Sequence, residues 1–187
     1  MKFLSLATFI TTALSGISGA EAYWKGFNVA ANNPDGSCKS QADWETAFNT
    51  LKGLPGYFTS VRLYASSDCN TLENAVPAAL ATGIQILVGV WTEDDTHYNN
   101  EKQALLNAIL QYKSEWIIAV SVGSEDLYRG NTSPEKLASQ INDVRGMIRS
   151  VGANQQVGHG ELTISYLHIY NSASAFCSGV TCSLPTL

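Results

Sequence analysis

The residues best suited to chemistry lie where an apolar segment runs into an acidic pair. Residues 117–122 (IIAVSV) predict a buried parallel strand, and the chain continues directly into Gly-Ser-Glu-Asp at 123–126. In parallel α/β sheets the reacting groups lie at the carboxyl ends of the strands. Glu125 is therefore a candidate general acid, with Ser124 and Asp126 as candidate substrate contacts. Taken alone, the junction favours a solvated acid in a strand–helix loop.

Three other predicted strand ends carry side chains that suit a sugar. Asn28 is close to the end of the first strand, Arg62 and Tyr64 to that of the second, and Trp91 ends the third. Aromatic side chains combine an apolar face with polar edges, and Asn, Arg and carboxylate groups hydrogen-bond hydroxyls. One by one, these residues are explained equally well as core aromatics or a salt-bridged arginine. Grouped at one edge of one sheet, they favour a carbohydrate cleft.

These strand ends belong to a strand–helix unit that recurs along the chain. The predicted strands cover residues 26–30, 60–64, 84–91 and 117–122, and the predicted helices cover 41–51, 71–82, 98–112 and 133–150. Gly83 suits the C-terminal cap of the second helix, and Ser133-Pro134 suits the start of the fourth. The alternation predicts an α/β fold, either a doubly wound sheet or a (β/α) barrel.

Composition narrows the function classes. The 187 residues are 45% hydrophobic, enough for the core of one domain or part of one. The net charge is −5 and no basic block is present, so nucleic acid is not an expected partner. No glycine-rich phosphate loop follows the first strand, and no His/Cys cluster has metal-ligand spacing. We therefore expect no cofactor and no metal.

The amino terminus has the pattern of a secretory signal peptide. Lys2 precedes an apolar stretch at residues 3–14, and small residues follow as far as Ala22. The apolar stretch is too short to cross a bilayer, and the rest of the sequence offers no transmembrane candidate. We predict that residues 1–22 are removed and that the protein is secreted.

Export makes the four cysteines candidates for disulfide bonds. Four cysteines allow three pairings. Cys38–Cys69 is preferred because both lie in neighbouring strand–helix loops, which leaves Cys177 and Cys182 to pair locally. Asn131 begins the Asn-Thr-Ser sequon, a predicted N-glycosylation site.

Four segments carry a resemblance to a known family. They are YWKGFNVAANNPDGSCKSQADWE at 23–45, VRLYASSDCNTLENAVPAAL at 61–80, ILVGVWTEDD at 86–95 and AVSVGSEDLYRG at 119–130. They resemble the fungal branch of glycoside hydrolase family 17, the secreted endo-1,3-β-glucanases and glucanosyltransferases of the cell wall. The resemblance spans residues 23–159.

The resemblance implies a (β/α)8 TIM barrel, β-1,3-glucan as the substrate, and cleavage with retention of anomeric configuration. It implies that Glu125 is the general acid/base. Many relatives carry Asn before this glutamate, where it contacts the sugar 2-hydroxyl. Ser124 is shorter by one amide, which implies a weaker or water-mediated contact.

The resemblance accounts for only the first four to five strand–helix units of such a barrel. A retaining glycosidase needs a second carboxylate about 5–5.5 Å from the acid. The family's nucleophile follows strand seven, which has no counterpart here, so we expect impaired activity. Glu73 and Glu161 follow no matched strand and are poor substitutes.

The tail at residues 160–187 departs from the family pattern. It is explained either by a truncated product or gene model, or by a short isoform whose tail adds a strand at 162–170. Half a barrel would leave its first and last strands as open edges unless the tail covers them. A non-catalytic β-glucan-binding protein, a glucanosyltransferase fragment and a non-functional fragment stay open as alternatives.

Overall fold

The computed structural model describes residues 24–92 and 94–160, together with the backbone of two short strands at 176–178 and 181–183. The predicted signal peptide and the predicted tail strand at 162–170 lie outside the described residues. The tail boundary at residue 160 stays a prediction.

Five strands alternate with four helices in the first part of the described chain. The strands are β1 (Trp24–Asn28), β2 (Ser60–Arg62), β3 (Gln85–Val90), β4 (Ile117–Ser124) and β5 (Gln156–Gly160). The helices are α1 (Gln41–Gly53), α2 (Thr71–Thr82), α3 (Asp95–Tyr112) and α4 (Pro134–Ser150), with a 3-10 turn at Asp68–Asn70 before α2.

The five strands are parallel, and each pairs with the next one along the chain. A doubly wound sheet reverses its strand order at a switch point, whereas a (β/α) barrel adds strands consecutively. The observed order therefore selects the barrel-type arrangement, and the predicted α/β fold is confirmed.

The core lies between the helices and one face of the strands. Alternate residues along β3 point to this face, because successive side chains of a strand face opposite sides. Ile86, Val88 and Val90 are buried there. The helices contribute buried side chains that include Trp44, Phe48, Leu72, Val76, Leu105, Ile109, Ile141, Val144 and Ile148.

Local capping signals set most helix ends where the sequence predicted them. Helix α2 ends at Thr82 with Gly83 in the left-handed conformation, and the Ser133 side chain accepts a hydrogen bond at the start of α4. Helix α3 begins three residues earlier than predicted. The Asp94 side chain accepts hydrogen bonds from the backbone N–H groups of Thr96 and His97, which makes Asp94 the cap.

The tail covers part of the outer edge of β1. Strands β6 (Phe176–Ser178) and β7 (Thr181–Ser183) form an antiparallel pair, and β7 pairs antiparallel with β1. The sequence analysis expected an open edge at β1 unless the tail covered it, and the tail strand β7 covers the part of β1 with which it pairs. The register places Cys177 opposite Cys182. Their predicted bond concerns side chains outside those that the structure describes.

Candidate active site

The carboxyl end of β4 carries the candidate acid on an unusual backbone. Strand β4 continues two residues past its predicted end, to Ser124, and Glu125 follows with φ of 58°. Its backbone N–H donates to the Gly160 carbonyl at 2.9 Å, which ties it to β5. A non-glycine residue in the left-handed region costs about 1–3 kcal/mol, and such residues cluster at active sites.

An irregularity in β4 turns Ser124 toward Arg62. Strict alternation would place Ser124 on the core face with Val122, but the pairing register of β4 with β5 shifts between Ser121 and Ser124. Gly123, at φ 69°, lies within this shift. A Cβ atom there would come within 2.0 Å of an Asp126 carboxylate oxygen, so the loop requires glycine.

Asp126 is buried, and both of its carboxylate oxygens face the protein. Oδ2 accepts a hydrogen bond from the Ser124 N–H at 2.6 Å, and Oδ1 accepts one from the Thr92 hydroxyl at 3.0 Å. The Asp126 carbonyl also accepts from the Asn131 N–H at 2.8 Å. These contacts favour a role in shaping the loop over the predicted contact with a sugar.

The Glu125 carboxylate is partly exposed and pairs with a residue that the sequence analysis missed. The side chain is 29% exposed, and its Oε2 accepts from Nη2 of Arg129 at 2.8 Å and from Nε at 3.2 Å. The hydrogen bond to Glu125 raises the pKa of Arg129. The four-residue spacing of opposite charges was the available signal.

The sequence analysis also missed His159, which contacts the end of β4 and the loop that carries Glu125 and Asp126. It is partly buried on β5, with Nδ1 at 2.5 Å from the Val122 carbonyl and 4.0 Å from Oδ2 of Asp126. Its position links β5 to the part of β4 that supports Glu125. Because its partners belong to another strand, sequence spacing gave no signal for it.

Arg62, Tyr64 and Ser124 are brought together. Alternation sends Val61 and Leu63 of the β2 segment into the core, so Arg62 and Tyr64 face the other side of the sheet. Nη2 of Arg62 donates to Oγ of Ser124 at 3.1 Å, and the guanidinium lies 5.1 Å from the centre of the Tyr64 ring. Burial lowers the pKa of Arg62, and the charge of Glu125 opposes that shift.

Asn28 and Trp91 lie at the carboxyl ends of β1 and β3, on either side of the β2 segment. Asn28 is directly opposite Arg62 in the β1–β2 register. Trp91 follows β3 and is partly buried, and its backbone N–H donates to Glu101. Among the described residues, no hydrogen bond or ion pair joins Asn28 or Trp91 to Glu125.

Two further predictions concern the rim of the site. Cys38 and Cys69 form a disulfide that joins the loop after β1 to the 3-10 turn after β2, the pairing that the sequence favoured. Asn131 is exposed in the loop before α4. Its glycosylation stays a prediction.

A cluster of Asp68, His97 and Glu101 was not anticipated. One ligand atom of each lies within 4.8 Å of the others, and Nε2 of His97 is 2.9 Å from Asp68 Oδ1 and 3.5 Å from Glu101 Oε1. Such a group could hold a cation. However, the Glu101 carboxylate already accepts four hydrogen bonds from the protein, two on each oxygen. The cluster is therefore better described as an internal hydrogen-bonded network.

A family model described as the BtgE/BtgC glycoside hydrolase domain matches residues 26–182. A glucan 1,3-beta-glucosidase of Saccharomyces cerevisiae is 39% identical over 182 residues, covering 92% of this chain and 57% of the relative. A protein of Aspergillus oryzae named "probable glucan endo-1,3-beta-glucosidase" is 36% identical, over 91% of this chain and 41% of its own length. The chain thus spans about half the length of the curated relatives it matches.

Solved structures support the same relationship. An active-site mutant of a Rhizomucor miehei beta-1,3-glucanosyltransferase, in complex with laminaritriose, matches with a TM-score of 0.66 and 31% identity. The match covers 78% of this chain and 52% of that one.

In the part of the chain that the structure describes, we find no helix with the length and apolar character needed to cross a membrane. The chain belongs to the BtgE/BtgC glycoside hydrolase domain family.

Proposed function

We propose that this chain carries the acid/base half of a retaining β-1,3-glucan hydrolase or glucanosyltransferase, with Glu125 as the proton donor. The observation that carries the proposal is the partly exposed Glu125 carboxylate at the carboxyl end of β4, within the family domain. The names of the relatives and the laminaritriose complex of a structural neighbour support β-1,3-glucan as the substrate.

The chemistry assigns Glu125 two roles in turn. As an acid it protonates the glycosidic oxygen while the bond to the anomeric carbon breaks. As the resulting carboxylate it takes a proton from the group that attacks next. That group is water in hydrolysis and a sugar hydroxyl in glucan transfer, so the same residue serves both outcomes. Arg129 orients the carboxylate through Oε2.

The sugar-binding surface is proposed to consist of the side chains around this carboxylate. The Tyr64 side chain is 41% exposed and offers an aromatic face, and Trp91 offers a second one at the next strand end. Arg62 and Ser124 supply hydrogen-bonding groups that already contact each other. Asn28 adds an amide beside Arg62.

We further propose that a polypeptide of these 187 residues turns glucan over slowly. The family resemblance places the nucleophile after strand seven, and no residue here corresponds to it. The buried Asp126 is occupied by internal hydrogen bonds and is a poor replacement. The alternative of a non-catalytic β-glucan-binding protein is favoured by the aromatic and arginine surface, which needs no nucleophile to bind a sugar.

Secretion to the cell wall is also part of the proposal. The Cys38–Cys69 disulfide suits an oxidising compartment, which agrees with the predicted signal peptide at residues 1–22. The exposed position of Asn131 agrees with glycosylation of its sequon.

Affinity for laminarin tests the proposed site, with dextran as the control polysaccharide. We expect the chain to bind laminarin and not dextran, and Tyr64→Ala to weaken binding by about tenfold, or ~1.4 kcal/mol. The matched control is Tyr57→Ala. Tyr57 is 92% exposed, but it lies in the loop before β2, at the opposite end of the strands. Equal losses in both variants, or equal binding of both polysaccharides, would contradict the proposal.

A further inference from the structure

The Glu101 carboxylate is the most completely enclosed charged group among the described residues, and the proposed chemistry does not use it. It lies on the inner side of α3 and has no exposed surface. Charged side chains are almost never fully buried unless partners compensate for the loss of water. Its partners therefore indicate what it does.

Among the described residues, four hydrogen bonds reach the Glu101 carboxylate, and all four come from loops at the carboxyl ends of strands. Oε2 accepts from the Ser66 N–H at 2.6 Å and from the Trp91 N–H at 3.1 Å. Oε1 accepts from the Ser67 N–H at 2.7 Å and also from the Ser67 hydroxyl. One side chain of α3 thus joins the loop after β2 to the end of β3.

These bonds fix the backbone next to the two aromatic residues of the proposed sugar surface. The described pairing of β3 with β4 ends at Val90, so the next N–H, that of Trp91, is held by Glu101 and not by the sheet. Ser66 lies two residues after Tyr64, and its hydroxyl donates to the Gly89 carbonyl at 2.7 Å. The relative placement of Tyr64 and Trp91 therefore depends on this network.

We infer that Glu101 is a positioning residue for the glucan site, which sets the spacing of the two aromatic faces without touching the sugar. The inference rests on the proposed function for the identity of the ligand, but the network itself can be tested without glucan. A neutral amide is the informative replacement, because Glu101→Gln keeps the volume while placing an NH₂ group against backbone N–H donors.

Amide hydrogen exchange is the first measurement. In the parent protein, the amides of Ser66, Ser67 and Trp91 are expected to exchange as slowly as those of the β3–β4 ladder, although they lie outside it. In Glu101→Gln these three amides should exchange at least about tenfold faster, while the ladder is unchanged. The matched control, Glu73→Gln, changes an exposed glutamate of α2 and should leave all of them unaltered.

Laminarin affinity, measured in a double-mutant cycle with Trp91→Ala, is the second measurement. We expect Glu101→Gln to weaken binding about tenfold in the parent and by less than about twofold in the Trp91→Ala background, because effects that act through a shared residue are not additive. A stabilising role alone would give equal losses in both backgrounds, and that result would overturn the inference.

The two measurements separate failure of the inference from failure of the proposed function. If the parent does not bind laminarin, the proposed function fails, and the exchange rates alone decide whether Glu101 holds these loops. If Glu101→Gln does not fold, the parent exchange rates decide. Fast exchange of the Ser66, Ser67 and Trp91 amides in the parent would overturn the inference.

Discussion

Glu101 of helix α3 and Glu125 after β4 both contact loops at the carboxyl ends of the strands, but their surroundings are opposite. Glu101 is fully buried, and its carboxylate accepts four hydrogen bonds from the loops after β2 and β3. Glu125 is 29% exposed, and among the described residues its carboxylate accepts hydrogen bonds from one side chain, that of Arg129. One carboxylate is committed to the protein, and the other is available to a substrate.

The backbone conformations of Glu101 and Glu125 also differ. Glu101 lies within a regular helix, whereas Glu125 has a left-handed backbone held by a bond to β5. Strain of that kind persists only where the surrounding structure enforces it. Exposure and the number of hydrogen-bond donors therefore distinguish the structural carboxylate of Glu101 from the proposed proton donor, Glu125.

Removing the disulfide should have the largest effect on stability. It should disturb the loop that bonds to Glu101 and leave the loop of Glu125 almost unchanged. The two cysteines are 31 positions apart in the sequence, and for a loop of that length the chain-entropy model predicts that Cys38→Ser with Cys69→Ser lowers the free energy of unfolding by about 3.7 kcal/mol. Since Cys69 lies close to Ser66 and Ser67, their amides should exchange faster, while those of the Glu125 loop change little. Chemical denaturation with hydrogen exchange measures both. Equal acceleration of amide exchange at Ser66 and Ser67 and in the Glu125 loop would contradict this difference between the two glutamates.

Neutralising each glutamate separately should give unequal losses of stability. We expect Glu101→Gln to lower the free energy of unfolding by about 2–3 kcal/mol, because buried donors lose their acceptors. Glu125→Gln should change it by no more than about 0.5 kcal/mol, since its ion pair is at the surface. Urea unfolding of the two variants provides the measurement. Similar losses would mean that Glu125 is also a structural group.

Arg129 should show the smallest effect on stability and a moderate one on chemistry. Arg129→Ala is expected to leave the free energy of unfolding close to that of the parent, because solvent screens the exposed pair. It should slow Glu125-dependent turnover about tenfold, with Arg129→Lys intermediate because charge is kept but the guanidinium geometry is lost. Arg149→Ala, an exposed arginine on α4, is the matched control. Turnover equal to that of the control would remove Arg129 from the site.

Much of the fold could be predicted because it depends on local and periodic signals. Helix α2 has the predicted bounds, and the apolar runs at β3 and β4 gave the buried parallel strands. The early start of α3 required recognition of Asp94 as a cap. The pairing of β7 with β1 joins residues far apart in the chain, and periodicity carries no information about such a contact.

The site was only partly predictable for the same reason. Strand ends located Arg62, Tyr64 and Glu125, since alternation and topology bring such positions to one edge. The buried orientation of Asp126 depends on the irregularity in β4 and could not be inferred from its place beside Glu125. Glu101 is spaced like any helix residue, and its role emerges only once two loops fold over it.

Reducing-end release from laminarin, with and without formate, tests the central claim that Glu125 is the proton donor. Formate can attack the anomeric carbon in the role of a carboxylate nucleophile, and the glycosyl formate then hydrolyses to a reducing end. The protein of this 187-residue sequence is compared with Glu125→Gln, and with Glu73→Gln as the control.

We expect turnover well below the usual enzyme range of about 1–10³ s⁻¹, an increase with formate, and no change in Glu73→Gln. Glu125→Gln should reduce the formate-dependent rate by about 10²–10⁴-fold. Undiminished turnover in Glu125→Gln, or no formate-dependent turnover in the parent, would contradict the account. Turnover within the usual range without formate would show that a nucleophile is present, and Glu161 would be the first residue to replace.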